Sequence, residues 1–63
     1  MMPTLKELQR MDQKIKLLRK TAQELEQLSE NMPAINRNVT RVLASVKMLE
    51  LNMEGNHGKL PAV

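Results

Sequence analysis

Apolar residues recur along this chain in two stretches that mirror each other about Pro33. Upstream, Met11, Ile15, Leu18, Ala22 and Leu25 follow one another at steps of four, three, four and three. Downstream, Val39, Val42, Val46, Leu49 and Met53 follow at steps of three, four, three and four. Alternating threes and fours mark one face of an α-helix, because about 3.6 residues complete a turn. Pair the positions from the middle outward: Leu25 with Val39, Ala22 with Val42, Leu18 with Val46, Ile15 with Leu49, Met11 with Met53. Each pair of residue numbers adds to 64. Two helices folded back at Met32–Pro33 would set these residues face to face, layer on layer. The pattern predicts an all-α fold, an antiparallel two-helix hairpin of coiled-coil type with these ten residues as its seam.

Local signals place the boundaries. Thr4 and Glu7 have the spacing of a capping box, in which each side chain satisfies a backbone amide of the other's turn. From Leu5 to Glu30 there is no Gly or Pro, and Leu, Lys, Gln and Glu, all good helix formers, predominate. Helix one is therefore expected over about 5–30, a turn over about 31–33 and helix two over about 33–54. Met32 precedes a proline and is steered away from helical angles. Asn31 is suited to a left-handed closure of helix one, and Pro33 to the first position of helix two, where its missing amide costs nothing. Gly55 reads as the stop, so residues 1–54 form the hairpin domain and 55–63 a flexible tail. The rival is a single kinked rod. Its stripe would continue through Met32, Val39, Val46 and Met53, but its companion would jump from Ile15 and Ala22 to Ile35, Val42 and Leu49. The hairpin needs no such change of register.

The charges agree with a fold-back. Lys6, Arg10, Lys14, Lys16, Arg19 and Lys20 crowd the first helix against only Glu7 and Asp12, and the helix then ends on Glu24, Glu26 and Glu30. Helix two begins with Arg37 and Arg41 and ends with Glu50 and Glu54. Folding at Pro33 is expected to bring the acidic end of helix one to Arg37 and Arg41, and Arg10 and Lys14 to Glu50 and Glu54. Exposed pairs contribute only about 0–1 kcal/mol each, but together they favour antiparallel order.

Composition removes several function classes. The 63 residues include no Phe, Tyr, Trp or Cys, so disulfides, thiolate metal ligands and aromatic anchors are all excluded. No apolar run approaches the roughly 7–15 residues of a signal-peptide core or the roughly 20 of a membrane span. The chain accordingly reads as soluble and cytoplasmic, with no membrane span. His57 stands alone between glycines. Glu24 and Glu26 diverge on a helix, and nothing encloses Glu26 and Glu30 as acid–base catalysis would require. Asn38-Val39-Thr40 has the glycosylation spacing, but it falls inside a predicted helix. No catalytic, metal or cofactor site is expected, and the protein reads as non-enzymatic.

What remains is association. A chain this short, with a single seam and no disulfide, usually needs a partner to be stable. Ala44, Met48 and Leu51 form a second stripe on helix two, and Leu43 flanks the main seam. Leu5 and Leu8 lie beyond the point where helix two would end. These six are the candidate partner surface. The expected function is a protein-interaction module that pairs as a homodimer, in the manner of a four-helix bundle, or docks on helical subunits of a larger assembly. It would serve there as an adaptor, an assembly subunit or a small regulator. Six methionines would make its apolar surface adaptable. The alternative rests on the net charge of +3 and pI near 9.7. It is a small basic regulator binding nucleic acid through Lys6, Arg10, Lys14, Lys16, Arg19 and Lys20, although neither a recognition helix nor stacking aromatics can be identified.

Overall fold

A computed structural model describes residues 3–56 of the chain; the expected tail from His57 onward lies outside the described residues. Two helices of 24 residues each, α1 (Leu5–Leu28) and α2 (Pro33–Asn56), fold back on each other as an antiparallel hairpin. Its extents are 42 × 20 × 15 Å.

The start of α1 follows the capping chemistry. Thr4 has extended backbone angles, and its hydroxyl accepts from the Glu7 amide at 3.1 Å. The Thr4 amide donates back to Glu7 Oε1 at 2.9 Å. Two backbone donors that a helix leaves without partners are thereby satisfied.

At the turn the structure departs from expectation. α1 ends at Leu28, two residues before Glu30. No described non-glycine residue has a positive φ, so Asn31 does not wrap the helix closed in a left-handed conformation. Side chains satisfy the exposed helix end instead. The Ser29 hydroxyl donates to the Glu26 carbonyl at 3.2 Å, and the Asn36 amide reaches across from α2 to the same carbonyl at 3.1 Å. The Met32 amide donates to the Ser29 carbonyl at 2.9 Å, closing the turn. Pro33 is the first residue of α2, as its fixed φ and missing amide favour. The Met32 carbonyl then accepts from Asn36 at 2.9 Å. At the other end α2 runs through Gly55 to Asn56. Gly55 has no positive φ, so it continues the helix rather than capping it.

The buried seam is a row of sevens. On α1 the buried residues are Ile15, Ala22 and Ser29; on α2 they are Val39, Val46 and Met53. Ile15, Val46 and Met53 pack together, and Leu8 lies against them one heptad before Ile15. Only half of the expected ten-residue seam is therefore enclosed. Met11, Leu18, Leu25, Val42 and Leu49 remain 40–49% exposed. The reason is geometric: two helices touch along one line, and an apolar stripe of alternating threes and fours is wider than that line.

Candidate interaction surfaces

The seam divides the hairpin into two unlike faces. Positions three before or four after a buried residue are Asp12, Arg19 and Glu26 on α1 and Asn36, Leu43 and Glu50 on α2. All six are half-buried. Positions three after or four before a buried residue are Met11, Leu18 and Leu25 on α1, with Ile35, Val42 and Leu49 on α2. Because the helices run antiparallel, an equal offset on each puts both rows on the same broad face of the hairpin.

The first face is clasped by polar groups. Arg19 donates through Nε to Glu50 Oε2 at 2.7 Å, and its Nη2 donates to Oε1, giving a forked pair. Those hydrogen bonds hold the Glu50 carboxyl below its ordinary range and raise the Arg19 guanidinium above its own. Near the turn, Ser29 is 2% exposed, the most enclosed side chain described. Its oxygen also lies 3.4 Å from the Asn36 amide nitrogen. A buried hydroxyl without a partner would destabilise the hairpin, so these contacts fix how the helices meet.

The second face is apolar and open. Leu18 is 49% exposed, Val42 47% and Leu25 44%, and the row extends to Ile35 at 41%. Towards the open end of the hairpin it deepens into a groove of about 580 Å³ floored by Met11, Ile15, Leu49 and Met53. Glu7, Arg10, Lys14 and Asn52 form its rim.

The candidate partner surface read from the sequence is dispersed. Leu8 and Leu43 are half-buried within the hairpin. Ala44, Met48 and Leu51 stand exposed on α2, away from the rows that flank the seam, and Leu5 is exposed at the start of α1. The basic residues do not form a single free face either. Lys16 pairs with Asp12 at 3.0 Å, and Arg19 is engaged with Glu50. Lys6, Arg10, Lys14 and Lys20 are exposed. Among the described residues, Arg19–Glu50 is the one ion pair between helices. The expected pairing of Arg10 and Lys14 with Glu50 and Glu54, and of α1's acidic end with Arg37 and Arg41, is not formed.

Sequence reasoning missed Ser29, Asn36 and the Arg19–Glu50 fork. Their signal was a serine continuing the heptad of Ile15 and Ala22, and polar residues at Arg19, Asn36 and Glu50 beside the buried rows. Among the described residues no three His, Asp or Glu side chains gather as a metal site would require, and no helix is long and apolar enough to cross a membrane. Compared with protein-family models, curated proteins and solved structures, the chain finds no match.

Proposed function

We propose that this protein is a non-enzymatic interaction module of the cytoplasm, a helical hairpin that joins other helices through its open apolar face. One observation carries the reading: Met11, Leu18, Leu25, Ile35, Val42 and Leu49 form an unbroken exposed row on both helices, while the opposite face is closed by hydrogen bonds. Scattered surface aliphatics are ordinary, but a contiguous patch running along a small protein marks an association site. Rows spaced by three and four are also how helices recognise one another in bundles and grooves. An adaptor, an assembly subunit and a regulator would all use such a face. Nucleic-acid binding has less support, because two of its six basic residues already have carboxylate partners.

Site-specific photo-crosslinking in cells tests the proposal. A photoreactive residue at Leu18 should yield protein adducts, and one at exposed Arg37 should yield far fewer. Equal adduct yields at the two positions, or none at Leu18, would overturn the reading. Binding that is lost on changing Lys16→Glu with Lys20→Glu, and that weakens log-linearly with salt, would support the basic regulator instead.

A further inference from the structure

The occupant of the open face can be named. Building on the interaction-module reading, we infer that it is a second copy of this chain, laid face to face with the helices antiparallel to form a four-helix bundle. Three observations carry this.

The first is size. The broad side of the hairpin measures 42 × 20 Å, so covering it removes on the order of 600–800 Å² from each copy, close to what a stable interface takes from each partner.

The second is symmetry. A two-fold dimer requires a surface complementary to itself. The open face has matching rows on its two helices: Met11, Leu18 and Leu25 beside Ile35, Val42 and Leu49. Any two-fold axis lying in the interface along or across the helices sets every facing pair antiparallel. The packing within one hairpin is thus repeated between copies.

The third is charge. Along the α1 edge of this face, Arg10 and Lys14 stand with Glu7 at one end, a net charge of +1, and Glu24 at the other, by heptad offset from the buried row. Arg10 and Lys14 line the groove itself. If α1 lies on the partner's α1, Arg10 of each copy comes beside Glu24 of the other. If α1 lies on the partner's α2, Glu24 comes beside Arg41. Both orientations bring opposite charges together. Beside Arg41, the α2 edge carries Asn38, Ser45 and Asn52, which are neutral.

The test is sedimentation equilibrium of the full chain, with melting followed by circular dichroism from micromolar to near-millimolar concentration. A dimer is expected, with a melting temperature that rises with concentration. Leu18→Lys with Val42→Lys should weaken dimerisation about 100-fold or more, because it puts four charges into an apolar interface. Ala44→Lys with Leu51→Lys, two residues before buried Val46 and Met53 and so on the polar-face flank of α2, should leave it unchanged. If the first variant fails to fold, Leu18→Ala with Val42→Ala serves in its place. Those side chains are about half exposed in the hairpin, so the change should spare the seam and weaken dimerisation about 10-fold. A folded monomer at every concentration overturns the second-copy proposal. So does a dimer that responds to Ala44 and Leu51 but not to Leu18 and Val42. In either case, crosslinks from Leu18 to a different protein would preserve the module reading, and their absence would remove both.

Discussion

Replacing Asn36 by alanine probes the contact that most specifically fixes how the two helices meet. The Asn36 amide donates across the hairpin to the Glu26 carbonyl at 3.1 Å and approaches the buried Ser29 hydroxyl at 3.4 Å. Removing it costs one good hydrogen bond and one long one, together about 1–1.5 kcal/mol. Alanine is the better helix former by about 0.5 kcal/mol, which offsets part of the loss. Asn38→Ala gains the same propensity at an exposed site two residues away. In a chain of this size about 1 kcal/mol shifts melting by roughly 8 °C. Asn36→Ala should therefore melt about 4–8 °C below the wild type and about 8–12 °C below Asn38→Ala. Thermal melts followed by circular dichroism at matched concentration measure both. The paired change with Ser29→Ala should show a coupling of about 0.5 kcal/mol between the two residues. An Asn36→Ala protein as stable as Asn38→Ala, with no coupling to Ser29, would refute the clasp.

Glu50 is held below its ordinary pKa, so the stability it adds is present above the unfolded value and disappears as pH falls through the lowered one. Acid melts should steepen below about pH 4.5, and Glu50→Gln should flatten that slope while lowering neutral-pH stability by about 0.5–1 kcal/mol for a partly exposed pair. Val46 is 2% exposed and Val42 47%, so in dilute solution Val46→Ala should cost about 2 kcal/mol and Val42→Ala less than half of that. Equal losses in denaturant titrations would mean the buried row is not the one described. Pro33→Ala should lower melting by only a few degrees, through the unfolded chain, and labels on cysteines placed at Lys14 and Asn52 should stay within about 15 Å as a packed pair requires. A long distance would show that the proline, rather than Ser29 and Asn36, holds the turn.

The apolar pattern was enough to read the hairpin, its turn at Pro33 and its cap at Thr4, because each follows from local spacing or from a residue with one conformational role. It could not show which part of the stripe is buried. Ile15, Ala22, Val39, Val46 and Met53 and their companions Met11, Leu18, Leu25, Val42 and Leu49 are chemically alike, and both sets fit a helix face. The choice was made by residues that an apolar pattern ignores. Arg19 on α1 and Asn36 and Glu50 on α2 lie on the other flank of the buried row, and their hydrogen bonds, Arg19 to Glu50 and Asn36 to the Glu26 backbone carbonyl, hold each helix rotated with that flank half-buried. That rotation displaces the companion row to the edge. Turned the other way, the hairpin would bring the row of Leu18 and Val42 nearer the contact and leave Arg19 and Glu50 in water. The polar clasp thus opposes burial within the hairpin and leaves the row of Leu18 and Val42 exposed. The physical sense of placing Ser29 and Asn36 in the contact beside the turn is that their hydrogen bonds specify the hairpin's rotation, and that rotation leaves Leu18 and Val42 exposed.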